Sequence, residues 1–290
     1  MSSLDGKVAV ITGSTRGFGL EIARAYSQAG AAVVIASRSS QAVESAIKTL
    51  SDEGKLVSGI ACDVGNPTRV EALAKHAIEN YGHFDIWVNN AGVSAPYGPS
   101  VDIRPEDFIR TLQTNIFGVY YGSMAAMRHF LPRKSGKLIN ILGRGDRQAV
   151  PMQNAYASSK TWVRNFTLAL AKEYKDSGVG VYAFNPGLMD TDLMQKVEVI
   201  EGYQGRLKPL GTVMRLWANP PRVPAQRAVW LASSATDGRT GLEAHQLNTL
   251  SMLSGVLSEG LRRLTGRSEP PYQLDVHTIP PALDIREISP

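Results

Sequence analysis

The chain has 290 residues, 43% of them hydrophobic and 20% charged, with a net charge of +5 and a pI near 9.3. It is long enough to bury a large core as one α/β domain or two small ones. The basic excess gathers at Arg128/Arg133/Lys134/Lys137 and Arg262/Arg263/Arg267 with no alternating aromatics. That pattern reads as solvated surface and speaks against a nucleic-acid partner. A single cysteine, Cys62, excludes an intrachain disulfide, and its place at the end of an apolar run reads as a buried thiol. No run approaches the ~18 apolar residues of a membrane span. No basic and apolar leader precedes the first strand, so a cytoplasmic location is expected.

Short β-rich runs alternate with longer helical patterns. Strands are predicted at Lys7–Thr12, Ala32–Ser37, Leu56–Cys62, Phe84–Val88, Lys137–Leu142 and Val179–Phe184. Helices are predicted at Phe18–Ala29, at Ser40–Asp52, and from Asn66-Pro67 to about Tyr81, with Asn66 as cap. Further helices are predicted at about Pro105–Leu131, stopped by Pro132, at Gln153–Asp176, and at Val223–Ser233. A seventh strand is expected near Glu243–Asn248.

Strands apolar on both faces and alternating with helices imply a Rossmann-type, doubly wound α/β fold. About seven parallel strands with helices on both faces are expected. One such domain is expected over residues 1–249. Within it, Thr191–Pro221 lacks periodicity, is rich in Gly and Pro, and reads as a substrate loop or lid. Beyond it, Leu250, Leu253, Leu257, Leu261 and Leu264 mark an amphipathic C-terminal helix, followed by an extended or mobile Pro-rich tail to residue 290.

Thr12-Gly13-Ser14-Thr15-Arg16-Gly17-Phe18-Gly19 lies at the first strand–helix junction. Glycines there permit a tight turn, and a helix N-terminus attracts phosphate. Strand two ends in Ser37-Arg38, where an NAD site usually places a carboxylate for the ribose hydroxyls. With Arg16 in the loop, two guanidiniums and no carboxylate suit a 2′-phosphate, so NADP(H) is expected over NAD(H). Tyr156 and Lys160 are four residues apart, on one helix face. A cation beside a phenol lowers its ordinary pKa of ~10 towards the useful range. His76, His83, His129, His245 and His277 are scattered, and no catalytic metal is expected.

In these features the chain resembles the short-chain dehydrogenase/reductase family. Thr12–Gly19 is similar to its TGxxxGxG loop and Asp63-Val64 to its adenine-contacting pair. Asn89-Asn90-Ala91-Gly92 is similar to its NNAG stretch, Asn115 to its active-site asparagine, and Tyr156/Lys160 to its YxxxK pair. Asn185-Pro186-Gly187 and Thr191 match its nicotinamide-cradling segment. The resemblance implies an NADPH-dependent oxidoreductase acting on a carbonyl or alcohol substrate. Tyr156 would be the general acid and base. Lys160 would bind the nicotinamide ribose and lower the Tyr156 pKa. Asn115 would hold a relay water, and the Leu188 backbone with the Thr191 hydroxyl would orient the carboxamide. A homodimer or homotetramer is also implied.

One position departs from the family pattern. Where the family carries a catalytic serine, thirteen residues before the tyrosine, this chain has Gly143, and no Ser or Thr occurs from Lys137 to Ala155. Losing one such donor typically costs about 10²–10³ in rate. Three explanations compete. Arg144, Gln153 or Asn154 replaces the donor; or the substrate needs less help or needs the space; or the protein is an NADP-binding sensing or scaffolding module. Arg144 pairing with Asp146 at the pocket mouth is a purely structural alternative. Chlorophyll b reductase-type members are similar in carrying glycine-rich sequence after strand five and an extended, Pro-containing C-terminal part; this weaker resemblance suggests a bulky, apolar substrate and names none.

Overall fold

The computed structural model describes residues 3–247, residue 265 and residues 272–282. The helix expected at Leu250–Leu264 lies outside the described residues. The elements, in chain order, are β1 (Val8–Thr12), α1 (Gly17–Gln28), β2 (Ala32–Ser37), α2 (Ser40–Asp52), β3 (Val57–Ala61), α3 (Pro67–Tyr81) and β4 (Ile86–Asn89). There follow α4 (Pro105–Leu112), α5 (Gly118–Arg133), β5 (Gly136–Ile141), α6 (Asn154–Glu173), β6 (Val179–Asn185) and α7 (Asp192–Gln195). The described chain is completed by β7 (Lys196–Ile200), α8 (Lys208–Trp217), α9 (Arg222–Ala232), β8 (Leu242–His245) and β9 (Asp275–Ile279).

Seven parallel strands form the main sheet in the order β3-β2-β1-β4-β5-β6-β8. β1 is buried along its whole length because helices cover both faces. Its side chains alternate between two cores. Ile11 packs with Ile22, Tyr26, Ile35 and Leu231 on one face, and Val10 with Val34, Leu73, Trp87 and Phe130 on the other. Each large apolar side chain so buried contributes about 1.5–3 kcal/mol. The chain reverses direction across the sheet between β1 and β4, which opens a crevice at the carboxyl ends of these strands.

A buried polar network fixes α5 and α6 over that crevice. Asn89 Nδ2 donates to Asn140 Oδ1 (2.8 Å) and to Ser123 Oγ (3.1 Å), while Trp87 Nε1 donates to Asn89 Oδ1 (2.8 Å). Asn140 Nδ2 donates in turn to Thr167 Oγ1 on α6 (2.9 Å). Such linked, satisfied bonds specify one packing arrangement.

Three expectations are corrected. The helix predicted over Pro105–Leu131 is two helices joined by a π turn at Gln113–Phe117. Pro132 does not stop α5. The helix runs one residue further, and Lys134 then turns left-handed (φ +50°) with its N–H on the Leu131 carbonyl. The aperiodic stretch from Thr191 is folded into α7, β7 and α8. β7 pairs in parallel with β9, from Lys196↔Asp275 to Ile200↔Ile279, so part of the expected tail is a strand.

Candidate active site

The loop between β1 and α1 is built for close backbone approach. Gly13 has φ +63°, and a Cβ there would lie 2.8 Å from Ala91 Cα. A Cβ on Gly19 would lie 2.2 Å from the Gly13 carbonyl. Asn90 Nδ2 donates to the Thr12 and Gly13 carbonyls (3.0 Å each), and Thr12 Oγ1 accepts the N–H groups of Asn90 and Ala91. Ser39 and Asn66 cap α2 and α3, whereas no side chain caps α1, which starts at Gly17. Its free N–H groups and positive dipole end suit an anion, and the glycines leave room for one, so these residues fit a dinucleotide. Two loop residues offer no side chain to it. Ser14 Oγ donates to the Ile11 carbonyl and accepts from Ala36 N–H, tying β1 to β2. Phe18 is buried against Phe184, with ring centroids 6.1 Å apart. Thr15 stands in the turn between them.

At the carboxyl end of β2, Arg38 is exposed and has no ion pair among the described residues. It lines a cavity of about 280 Å³ with Asp63, Glu106, Ile109, Arg110 and Gln113. Ser37 Oγ donates to its own turn at Ser39 O, and Asp63 Oδ1 accepts Gly65 N–H. Val64 is buried where α5 passes closest, under Gly118. Arg16 reaches the other way, to Asp192 Oδ2 on α7 (3.3 Å).

Asn115, Tyr156, Lys160 and Gly92 come together at the carboxyl edge of β4 and β5. Asn115 lies in the π turn, fully buried. Its Oδ1 accepts Val93 N–H (2.9 Å), and its Nδ2 donates to the Val93 carbonyl (2.9 Å) and to Ser159 Oγ (3.0 Å). That side chain has no proton left to give a water. A π turn breaks the ordinary helical ladder, which leaves backbone groups as the local resource. A Cβ on Gly92 would stand 3.5 Å from Asn115 Oδ1 and 3.7 Å from Lys160 Nζ. Lys160 Nζ donates to the Ile141 carbonyl (3.0 Å) and lies 5.6 Å from the centre of the Tyr156 ring.

The Tyr156 hydroxyl sits on Gly143, 2.4 Å from where a Cβ would stand. Asn185 Nδ2 and Asp146 N–H both donate to the Gly143 carbonyl, which fixes that backbone. Burial first, and the charge of Asp146 second, push the Tyr156 phenol up to about 12. Burial brings Lys160 down to about 8 against the opposing pull of Asp146. The Tyr156 phenol therefore stands above its ordinary range, opposite to the lowering by Lys160 that the family pattern implies.

Of the substitutes considered for the serine, Gln153 lines a narrow cleft with Ser94, Gly98, Phe108, Met152 and Tyr156. Arg144 is exposed with no partner among the described residues, and Asn154 Nδ2 is turned to Ser100 Oγ (3.2 Å). Arg144 and Asp146 do not pair, since Asp146 points inward and is only 7% exposed. The cleft holds about 20 Å³, room for about one water. Met152 at its rim has φ +66°, a strained conformation for a residue with a Cβ, held by Gly98 N–H on its carbonyl.

Over this edge lies a roof. Gly187 (φ +73°) donates to Asn185 Oδ1, Pro186 holds the turn, and Asn219 N–H bonds the Leu188 carbonyl. Thr191 rests near Gly17, its Cγ2 3.7 Å from that residue's Cβ position. β7 is pinned on both sides, by Tyr97 and by β9. Tyr272 bonds Asp190, and Ala282 N–H bonds the Asp102 carbonyl. Gly98 and Asp146 lie in the stretches Ser94–Ser100 and Gly143–Asn154 that the sequence points to for the substrate pocket, although Asp146 stood out only as a partner for Arg144. β9 is the contributor that sequence reasoning missed, because it lies in no motif.

Elsewhere, Cys62 is the buried thiol expected, its pKa pushed up to about 11 by burial. Among the described residues no helix is long and apolar enough to cross a membrane, and no cluster of His, Cys, Asp or Glu is placed to hold a metal ion.

The chain is similar in sequence and fold to known proteins. The chain is 35% identical over 243 residues to 3beta-hydroxysteroid dehydrogenase 1 of Eggerthella lenta, covering 82% of this chain and 91% of that one. It is 36% identical over 192 residues to chlorophyll(ide) b reductase NOL of Arabidopsis thaliana, covering 64% of this chain but only about half, 55%, of that protein. The crystal structure of a gluconate 5-dehydrogenase from Burkholderia cenocepacia, in complex with NADP and tartrate, superposes with a TM-score of 0.75. It is 28% identical, with 87% of this chain and 96% of that one covered. A family model described as short chain dehydrogenase matches residues 7–201, the stretch that holds the glycine loop, Asn115, Tyr156 and Lys160. Sheet order, loop chemistry and sequence therefore agree that the chain belongs to the short chain dehydrogenase family.

Proposed function

We propose that the chain is an NADP(H)-dependent reductase of carbonyl compounds, and an alcohol dehydrogenase in reverse, with Tyr156 as general acid and base. The observation that carries this reading is the convergence of Tyr156, Lys160, Asn115 and Gly92 beside an uncapped, glycine-built helix N-terminus. A nicotinamide cofactor would supply or accept the hydride. The chain's own groups would do the rest. Backbone N–H groups from Gly13 to Gly19 would hold the pyrophosphate, and Asp63 and Val64 would flank the adenine. The Leu188 backbone and the Thr191 hydroxyl would orient the carboxamide. Tyr156 gives its proton to the carbonyl oxygen as that oxygen becomes an alkoxide. Lys160 steadies the ribose and the developing phenolate, and the Asn115 backbone carbonyl seats the water that returns the proton.

NADP(H) is favoured by Arg38, which is unpaired among the described residues at the end of a strand that carries no carboxylate. The Arg16–Asp192 pair is exposed and therefore weak, so a 2′-phosphate competes for that guanidinium too. The gluconate 5-dehydrogenase relative was solved with NADP. Gly143 supports a site in which Tyr156 carries the substrate oxygen with Gln153 as neighbouring donor. Phe108, Ile109, Phe117 and Tyr120, exposed on α4, the π turn and α5, support a homodimer or homotetramer.

The test is NADPH consumption against a panel of ketones and aldehydes. Tyr156→Phe should lower turnover by roughly 10³-fold and leave NADPH affinity within a few-fold. Undiminished turnover in that variant would remove Tyr156 from the mechanism. Tight NADPH binding without turnover of any carbonyl or imine would favour the sensing or scaffolding reading.

A further inference from the structure

The loop that lacks the serine carries a carboxylate where the family reading assigns no role. Asp146 is 7% exposed, and among the described residues nothing hydrogen-bonds its Oδ2. A buried carboxylate oxygen without a partner is costly and calls for an explanation. Its place is fixed on both sides by contacts to the helix that bears the acid/base pair. Gly143, whose carbonyl accepts the Asp146 N–H, packs on the Tyr156 hydroxyl. Gly145 (φ +94°) packs on Ala157, and its carbonyl accepts from Thr161 Oγ1 (2.6 Å). The backbone on either side of Asp146 is thereby held against the first two turns of α6, and its charge reaches both Tyr156 and Lys160.

The other charged groups around it are paired with Glu243, held towards a neutral form, or exposed. On α6, Arg164 is committed to Glu243 by two bonds (2.6 and 2.9 Å). Arg147, on the same loop, also goes to Glu243 (3.1 Å). From β8, His245 is held towards its neutral form by burial, and its Nε2 is likewise without a partner. Arg144 is exposed. Among the described residues Lys160 is a buried cation with no carboxylate bonded to it, and Asp146 acts on it by charge as it does on Arg164 and His245.

We propose that Asp146 is a positioning residue that keeps the Tyr156 phenol protonated and the Lys160 ammonium charged across the neutral range, an inference that rests on the reductase reading above. A negative charge disfavours a second one on the phenol and favours the positive one on the amine. Both effects hold the pair in the state that donates a proton to a carbonyl oxygen. The signs fix the pH behaviour. Reduction needs the ammonium and the phenol, so it persists at neutral pH and declines as pH rises through about 8, where Lys160 loses its proton. Removing the Asp146 charge takes away support from both groups, so the decline begins at lower pH.

The experiment pairs two readouts on wild type, Asp146→Asn, Asp146→Ser and Asp146→Glu. The first is the Lys160 side-chain titration by NMR on lysine-labelled protein, assigned by its loss in Lys160→Met. The second is the pH profile of NADPH-dependent carbonyl reduction. In the Asn and Ser variants the Lys160 midpoint should fall by about one pH unit, the alkaline limb of reduction should move with it, and Glu should restore both. An unmoved midpoint in folded Asn and Ser variants overturns the proposal. So does loss of the fold in both, since that would make Asp146 a purely structural residue. Wild-type protein that reduces no carbonyl would defeat the reductase reading alone, because the NMR titration still decides the role of Asp146.

Discussion

The two halves of the active-site edge are held by different physics. On the cofactor side, backbone geometry is set within a few residues. Gly13 and Gly19 allow chain contacts that no side chain would permit, and Thr12 and Asn90 satisfy the groups so exposed. On the substrate side, the geometry comes from pairing across long stretches of chain. Tyr97 bonds β7, β7 bonds β9, and Ile200 fills the space beside Gly98 in the cleft wall. A local device is tied to one ligand shape. A long-range one can be changed by altering a distant segment, and that is how one fold serves many substrates.

Three changes would break or sharpen this contrast. The largest effect is expected at Gly143. A serine there needs the space that the Tyr156 hydroxyl occupies, so restoring the family residue should cost about 10²-fold in turnover instead of raising it. A gain on small ketones would show that Gly143 is merely a lost donor. Arg38→Asp comes next. It should weaken NADPH binding by about 10- to 100-fold, the loss of one charge-assisted contact, without moving the substrate KM. Equal NADPH affinity by titration calorimetry would remove Arg38 from the cofactor site. The smallest effect is expected from truncation before Tyr272. Loss of β9 should raise the carbonyl KM by roughly fivefold while kcat, NADPH affinity and the melting temperature stay near wild type. A matching loss of NADPH affinity would mean that the two halves are not separable.

How much was legible in the sequence follows the same division. The strands of the main sheet, the Asn66 cap and the cofactor loop were readable because each is dictated by residues close in sequence. Helix periodicity from Pro105 onward was also readable, but a π turn adds one residue to a turn without disturbing the hydrophobic pattern enough to show. β7 was missed because Lys196–Ile200 is five residues long, follows α7 without a break, and has its partner in a tail that looked unstructured. The Tyr156/Lys160 pair was visible from spacing, but its electrostatics were not. The rise of the phenol comes from burial and from Asp146, neither of which a spacing rule registers.

The pairing of β7 with β9 also orders events during biosynthesis. Every strand of the main sheet precedes Asp275 in the chain, so the dinucleotide crevice can close before the last roof strand has been made. A chain made only as far as β8 already carries every strand of the main sheet, whereas β7 still lacks its β9 partner. Cofactor captured at that stage would favour the folded sheet by mass action, making the dinucleotide an aid to maturation before it takes part in any turnover.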